Sequence, residues 1–310
     1  MKYNRIFFVA MVFWIGNPVL SPLTWAAEPM TETALGYYDP VEQTGQVVFF
    51  QDHVEADAFL ESSAGFPQEV IRLVNQNRVA AGLFPLKPNG ILNAMAQAHS
   101  DYMRATGCFA HQCAAEYSPA ERICLSGYGM YGGTQSLSDC TLQGGGGGPG
   151  PGDGSCFIGE VIAAGYPNPA SVVTGWMGSP PHYAILMHAQ LREIGVGFAS
   201  GGPHRAYWTL DAGSQPNVLP IFINDDHPET TTARIILSLT NEQVSGFGGI
   251  DYAHKVLVSN DPGFAGAVWE SYAPHKPWTL TEGTGHKTVY VKYRDTDGLE
   301  ILSVDDILLR

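Results

Sequence analysis

Residues 179–213 read SPPHYAILMHAQLREIGVGFASGGPHRAYWTLDAG, and this stretch decides the fold. Ser179-Pro180-Pro181 predicts the end of a helix, because proline disfavours helical backbone in the residue before it. The alternation of apolar and small residues in Ile194–Phe198 predicts a strand. Gly201-Gly202 favours a turn, and Ala206–Asp211 predicts the returning strand of a hairpin.

The composition is typical of a globular, loop-rich and weakly charged protein. The chain has 310 residues, of which 45% are hydrophobic and 15% are charged. This length allows one large domain or two moderate ones. The formal net charge of −14 disfavours binding to nucleic acid or to an anionic membrane, because both need a basic surface.

The N-terminus has the pattern of a secretory signal peptide over residues 1–27. Lys2 and Arg5 precede an apolar core at Ile6–Ile15. That core is far shorter than the roughly 20 residues that span a bilayer, which argues against the alternative of an uncleaved anchor. We therefore expect a secreted or cell-envelope protein that has no transmembrane anchor after signal removal. Residues 28–65 are expected to form an N-terminal extension.

All five cysteines lie between Cys108 and Cys156. In an exported protein such clustering indicates disulfide bonds, and an odd number leaves one thiol over. Proximity favours the pairs Cys108–Cys113 and Cys140–Cys156, but spacing alone does not fix the connectivity. A zinc cluster is the alternative, and the absence of a Cys-x-x-Cys pair disfavours it.

Three segments predict helices, and an insertion separates the second from the third. Apolar residues recur at helical spacing in Phe66–Gly82 and Asn89–Thr106, and asparagine is a preferred capping residue. Asn168-Pro169 favours the start of a third helix that continues to Met177. Residues 114–155 are rich in cysteine and glycine, and five consecutive glycines followed by Pro-Gly-Pro-Gly predict a loop.

These motifs, in this order, resemble the bacterial branch of the CAP superfamily. That superfamily includes cysteine-rich secretory proteins, antigen 5 proteins with the SCP-like extracellular domain, and plant pathogenesis-related proteins. The resemblance rests on SPPHYAIL, EIGVGFA and YWTLDAG and on the segment Leu73–Gln112. It also rests on Gly159-Glu160-Val-Ile-Ala, in which Val161 replaces the usual asparagine. It implies an α+β fold in which residues 66–213 form a CAP-type three-layer α-β-α sandwich.

The composition changes after Gly213. Residues 214–232 are predicted to be a linker with short strands, and it overlaps a β-rich module predicted over residues 218–310. The predicted strands include Ile235–Leu239, Lys255–Val258, Trp278–Thr281 and Lys287–Tyr293. Glu282–Gly285 is expected to join the last two as a hairpin. The pattern resembles bacterial immunoglobulin-like modules, which implies a smaller all-β sandwich that contacts an extracellular or cell-envelope partner.

The CAP resemblance also implies a cleft formed by His111, Glu160, His182 and Tyr207. Tyr207 stands where eukaryotic members have a second histidine. Some members bind zinc or another divalent ion there, so His111, His182 and Glu160 are candidate metal ligands. Two histidines and a carboxylate with an open position would suit zinc and would polarise a water molecule. Without metal, Glu160 and a histidine could exchange protons as general acid and base.

Each of these residues also has a purely structural explanation. His111 could pin a loop, Glu160 could cap backbone amides, and His182 could satisfy the helix end near Pro180. Asp211 lies near the same strand and is a secondary candidate, because acids at strand ends are usually solvated.

Two functions compete at this cleft. We favour a binding module that takes a lipid, sterol or peptide, as the resemblance implies. The alternative is a metal-dependent, peptidase-like hydrolase that uses the same cleft. No serine or cysteine is paired with a histidine in a nucleophile motif, so covalent catalysis ranks third.

Overall fold

The computed structural model describes residues 65–128, 157–215, 217–241 and 252–310, together with Ser63 and Ile250. The predicted signal peptide, nearly all of the predicted extension and the glycine-rich part of the predicted insertion lie outside these residues. So does the predicted pairing of Cys140 with Cys156. No helix in the described part of the chain is long and apolar enough to cross a membrane.

The first unit combines helices with a four-stranded sheet. In chain order its elements are α1 Phe66–Ala80, β1 Lys87–Pro88, α2 Gly90–Thr106, α3 Pro119–Leu125, β2 Phe157–Ala164, α4 Pro169–Gly178, α5 Pro180–Leu186, β3 Glu193–Ser200 and β4 Ala206–Ser214.

The strands of this sheet follow the order β1-β3-β4-β2. β3 and β4 pair antiparallel, with Gly197 opposite Thr209. The turn between them closes with a 2.7 Å hydrogen bond from Gly201 N to Arg205 O. This confirms the hairpin predicted from residues 179–213. Among the described residues β2 pairs only with β4, so no described strand lies along its other edge.

Alternating side chains of the sheet face two different helical layers. On one face, Val161, Val196 and Leu210 share a buried core with side chains of α1, α4 and α5. On the other face α2 packs across β3 and β4, and the Ser100 hydroxyl donates to the Thr209 hydroxyl at 2.9 Å. The first unit is therefore the three-layer α-β-α sandwich that the resemblance implied.

Two glycines of the EIGVGFA motif let α2 approach the sheet. A Cβ atom on Gly195 would lie 2.1 Å from the backbone carbon of Leu92, and one on Gly197 would lie 2.3 Å from the backbone of Ala96. Any larger residue would push the helix outward. These glycines therefore set the distance between α2 and β3.

Asparagine side chains begin two helices, as predicted. Asn89 Oδ1 accepts hydrogen bonds from the backbone of Ile91 at 2.9 Å and of Leu92 at 3.1 Å. Asn168 Oδ1 accepts one from Ser171 N at 2.9 Å. These bonds satisfy N–H groups that have no partner within the first helical turn.

The helix end predicted at Ser179-Pro180-Pro181 is confirmed, since α4 ends at Gly178. The helix that Pro180 then opens, α5, was not predicted from the sequence. Proline suits a first helical turn, because its missing N–H would have no partner there. The same two prolines thus end one helix and begin the next.

Part of the predicted insertion is helical. Ser118 begins α3 with a capping box, in which Ser118 Oγ accepts from Glu121 N and the Glu121 carboxylate accepts from Ser118 N at 2.8 Å. α3 packs against α2 and β2. It therefore belongs to the sandwich and brings Arg122 to the sheet.

The second unit consists of strands and one 3-10 turn in its described residues. Its elements are β5 Ile221–Ile223, the turn Asn224–Asp226, β6 Glu229–Thr230, β7 Arg234–Leu239, β8 Lys255–Ser259, β9 Glu270–Ser271, β10 His275–Thr279, β11 Gly285–Arg294 and β12 Glu300–Leu309. They form one sheet of order β10-β7-β5 and another of order β6-β12-β11-β8-β9. Both sheets contribute to one buried core, which includes Leu237 and Val291. The predicted linker at 214–232 thus holds β5 and β6.

The hairpin predicted across Glu282–Gly285 is wrong. β10 pairs with β7 in the smaller sheet, whereas β11 pairs with β12 and β8 in the larger one. The turn therefore carries the chain from one sheet to the other. The immunoglobulin-like character of this unit stays a prediction.

Lys87 on β1 joins the two units. Its Nζ donates to Asp305 Oδ1 at 2.6 Å and to Asp226 Oδ1, and it lies 5.0 Å from the centroid of the Phe222 ring. Removing one member of such a partly buried ion cluster would leave the others uncompensated. The contact covers the β1 edge of the first sheet, at the opposite end from β2.

We expect Gly197→Ala to lower the free energy of unfolding by about 1–3 kcal/mol, because the added methyl group overlaps the α2 backbone. Gly178→Ala is the matched control, since a Cβ atom there meets nothing within 4 Å. The control should change stability by less than about 1 kcal/mol. Urea unfolding followed by circular dichroism measures both. Wild-type stability of Gly197→Ala would contradict the close packing of α2.

Candidate functional site

Glu160 on β2 and Asp211 on β4 lie directly opposite each other in antiparallel register. Gly165 N donates a hydrogen bond to Ala206 O, so every second residue before Gly165 on β2 also hydrogen-bonds to β4. Glu160 is not one of these residues. It therefore forms a non-hydrogen-bonded pair with Asp211, the kind of pair in which opposite side chains are closest. Both acids are buried. The register alone thus places two carboxyl groups together inside the protein.

His111 and Arg122 bind Glu160 from outside the sheet. His111 Nδ1 lies 2.7 Å from Glu160 Oε1, and Arg122 Nη2 donates to Glu160 Oε2. The Glu160 side chain is 1% exposed, whereas that of His111 is 41% exposed. We call Glu160, Asp211, His111 and Arg122 the carboxyl cluster. His111 is its accessible member.

A disulfide closes the loop that carries His111. Cys108 and Cys113 are bonded to each other, as predicted, and Cys124 is also disulfide-bonded. Arg122 Nη1 donates to the carbonyl oxygen of His111 at 2.8 Å. The loop is therefore fixed by a covalent bond and by the same arginine that binds Glu160.

His99 supports this loop from beneath. It lies on α2 and is fully buried. Its ring nitrogens lie 3.1 Å from Ala110 O and 3.1 Å from Glu116 Oε1, on either side of His111 in the loop. His99 thus links the loop to the helical layer.

Burial changes the proton affinity of the cluster. It raises the pKa of Glu160 to about 7, although the nearby Arg122 lowers it. Burial, and then the charge of Glu160, raise the pKa of Asp211 well above its ordinary value. Burial, and then Arg122, lower the pKa of His111. Two adjacent carboxyl groups do not both ionise readily, so we expect Asp211 to hold a proton at neutral pH.

His182 lies on α5 beside the carboxyl cluster. Its Nδ1 lies 2.8 Å from Ser179 Oγ, and no hydrogen bond joins it to Glu160 in the described part of the chain. Burial, and then the charge of His111, lower the pKa of His182. The two imidazoles are therefore near enough to interact electrostatically.

Tyr207 lies in the core and not in the cleft predicted for it. It is opposite Ala164, four residues along the strands from Glu160, which is about 13 Å at the usual rise. Its ring is fully buried beside Met103. Its hydroxyl accepts a hydrogen bond from His204 N at 3.3 Å. The structure gives Tyr207 a packing role.

A groove of about 1250 Å³ lies along the free edge of β2, and we call it the β2 groove. Most of the side chains that line it are apolar or small, and they include Phe109, Ile162, Tyr166, Trp176 and Pro203. His182 also lines it. The groove therefore begins beside the carboxyl cluster and runs toward the turn between β3 and β4.

The predicted zinc ligands do not form a donor set. Among the described residues, no three His, Cys, Asp or Glu side chains are arranged to hold a metal ion. His111 and the guanidinium of Arg122 already bind Glu160, and a fixed positive charge at that carboxylate would repel a dication. These residues do not fit zinc in this arrangement, and zinc binding stays a prediction.

Sequence reasoning missed Arg122 and gave Asp211 only a secondary place. Antiparallel pairing of the 159–165 motif with the predicted strand at Ala206–Asp211 could have revealed Asp211, because opposite residues share a face. Arg122 carries no such signal. It lies inside the predicted insertion, and only the tertiary position of α3 brings it to Glu160.

Residues 71–212 match the model of the CAP family, described as the cysteine-rich secretory protein family. This chain contains a CAP domain. A relative of it is the uncharacterized protein YkwD of Bacillus subtilis, which is 27% identical over 148 residues. The match covers 48% of this chain and 47% of YkwD. The chain therefore spans about half the length of the curated relative it matches.

Solved structures also show a partial likeness to this chain. An extracellular protein containing an SCP domain from Bacillus anthracis is 20% identical with a TM-score of 0.40, over 55% of this chain and 47% of that one. An outer surface protein from Borrelia burgdorferi is 16% identical with a TM-score of 0.35, over 47% and 89%. A cysteine-rich secretory protein from Staphylococcus aureus is 17% identical with a TM-score of 0.31, over 56% and 47%.

We expect Asp211→Asn to flatten the dependence of stability on pH. The folded-state pKa of Glu160 is raised from 4.5 to about 7, so its contribution is complete below pH 4.5 and is lost as the pH rises through about 7. Asp211 adds a loss in the same direction. An amide at position 211 can donate to Glu160 and removes one buried acid.

Urea unfolding from about pH 5 to about pH 8 tests this. The wild type should lose more unfolding free energy over that range than Asp211→Asn does. Asp297→Asn, at an exposed turn, is the control and should follow the wild type. Parallel curves for wild type and Asp211→Asn would show that the two acids do not interact.

Proposed function

We propose that the CAP domain is an exported binding module that takes an elongated, largely apolar ligand in the β2 groove. Lipids, sterols and apolar peptides have this chemistry. The observation that carries the proposal is the groove itself, which at about 1250 Å³ exceeds the roughly 300–1,000 Å³ of small-molecule pockets. Its lining is mainly hydrophobic, as in most ligand sites.

The carboxyl cluster supports a binding role over a catalytic one. Internal partners already bind both oxygens of Glu160, and Asp211 is buried beneath it. Neither acid is left free to act on a substrate. The cluster instead holds one wall of the groove in place through the loop that carries His111 and Phe109.

The disulfides support an exported location. Cys108 and Cys113 are bonded and Cys124 is disulfide-bonded, and such bonds persist mainly in oxidising compartments. The signal-like sequence over residues 1–27 agrees with this. We therefore propose that the protein acts in the cell envelope or outside the cell.

The second unit is proposed to contact an extracellular or cell-envelope partner. Its β12 strand exposes two apolar side chains, Leu302 at 55% and Val304 at 46%. They are two residues apart, so both side chains lie on the same face of the strand. Exposed apolar side chains on one face favour an interaction surface.

A hydrolase is the second candidate, and one observation favours it. The exposed His111 is oriented by the buried carboxylate of Glu160, as general-base histidines commonly are. This route would use His111 to activate water at the mouth of the groove. The positions of His111, His182 and Glu160 do not favour a metal in that step.

We expect Thr174→Trp to weaken binding of the neutral dye Nile red by about tenfold or more, because the indole would fill the groove that Thr174 lines. Gln68→Trp is the matched control. It places an indole on the exposed face of α1 and should bind the dye like the wild type. Fluorescence titration measures all three proteins.

Equal dye binding by wild type and Thr174→Trp would contradict a ligand site in the groove. A His111→Ala variant tests the hydrolase candidate through activity. The Cys108–Cys113 disulfide still closes its loop, so we expect dye binding to remain under either candidate. Hydrolysis of a peptide or ester that wild type performs and His111→Ala does not would favour the hydrolase instead.

A further inference from the structure

The free edge of β2 presents backbone groups to the groove. Because Gly165 N bonds to Ala206 O, the residues at 161 and 163 also direct their backbone toward β4. The backbone N–H and C=O groups of Ile162 and Ala164 therefore point away from β4, toward the outer edge of the sheet. The indole Nε1 of Trp176 donates to Ile162 O at 3.2 Å, which confirms that this carbonyl points outward.

The outward-facing backbone groups belong to the part of β2 that lines the groove. Residues 162–166 all line it. The N–H of Ile162 and both backbone groups of Ala164 therefore face the groove with the spacing of a strand edge. An edge of this kind pairs with an added strand.

The groove lining contains basic side chains but no carboxylates among the described residues. The basic side chains are His182, His204 and Arg205. The Arg205 side chain has no hydrogen bond or ion pair to any described residue, whereas Arg104 pairs with Asp101 and Arg294 with Glu300. In a chain with a net charge of −14, an acid-free groove with an unpaired guanidinium favours an anionic ligand.

We propose that the ligand of the β2 groove is an extended apolar peptide with a free C-terminal carboxylate, added as a strand to β2 and held at its end by Arg205. This rests on the proposed function, since it requires the groove to bind a ligand. A peptide satisfies both observations. Its backbone pairs with the N–H of Ile162 and with both backbone groups of Ala164, and its carboxylate neutralises Arg205. A lipid anion would leave the backbone groups of the edge unpaired.

The position of Arg205 sets the direction of the bound strand. Arg205 immediately precedes β4, next to the C-terminal end of β2, where Gly165 bonds to Ala206. A peptide whose carboxylate reaches Arg205 therefore runs parallel to β2. The part of the peptide about four residues, or roughly 13 Å, before its end then points along β2 toward the position of Glu160.

The test uses fluorescein-Gly-Thr-Val-Thr-Val with a free carboxylate and the same peptide as its C-terminal amide. We expect the amide to bind the wild type about tenfold more weakly in fluorescence polarisation, because it loses a charge-assisted hydrogen bond. In Arg205→Asn the two peptides should bind equally. Asparagine suits the left-handed backbone of this residue (φ 65°). Arg310→Asn, an exposed arginine of the second unit, is the control and should behave like the wild type.

Single N-methyl groups test the added strand. Successive N–H groups of a strand point to opposite edges, so only every second N–H of the peptide faces β2. Methylation of a nitrogen that faces β2 should weaken binding, and methylation of a nitrogen that faces away should leave binding unchanged. Uniform tolerance of N-methylation would overturn the added strand.

The Nile red measurement separates failure of this inference from failure of the proposed function. If Thr174→Trp blocks the dye but the acid and amide bind equally or not at all, the groove binds a ligand and the peptide proposal is wrong. Displacement of the dye by oleate without peptide binding would assign a lipid instead. If Thr174→Trp affects neither dye nor peptide, both proposals fail.

Discussion

A buried carboxylate organises the site of this protein. Glu160 lies inside the sheet directly opposite Asp211, and two ionised acids in that position would be costly. Three features offset the cost: a proton on the pair, the guanidinium of Arg122 and the imidazole of His111. Arg122 requires α3 at the sheet, and His111 requires a fixed loop. The disulfide, the buried His99 and the capping box at Ser118 all serve that placement.

The cluster and the groove occupy neighbouring but different positions in the fold. The acids lie on the face of the sheet that α2 and α3 cover, while the β2 groove follows the edge of the same sheet. His111 and His182 stand between the two. This arrangement separates ligand contact, which the groove and Arg205 provide, from the rigid support that the buried acids provide. Lys87 covers the opposite edge of the sheet with the second unit, whereas none of the strands that the structure describes covers the β2 edge.

The sequence predicted the features that depend on neighbouring residues in the chain. The β3–β4 hairpin follows from alternation and a Gly-Gly turn, and the helix starts at Asn89 and Asn168 follow from side-chain capping. Tertiary contacts decided the rest. The sequence does not show that Pro180 begins a helix against the sheet, that the turn at Glu282–Gly285 changes sheets, or that α3 carries Arg122 to Glu160. Family resemblance placed His111 and Glu160 together correctly, but the strand register puts Tyr207 in the core.

The proton affinity of Glu160 tests this account most directly. Carboxyl carbon NMR of protein labelled at glutamate, with Glu160→Gln to assign the signal, reports its titration. The account predicts a midpoint near 7, because burial raises the pKa of Glu160 to about 7. A midpoint near 4.5, the ordinary value, would show a solvated glutamate and would contradict the buried cluster on which the description of the site depends.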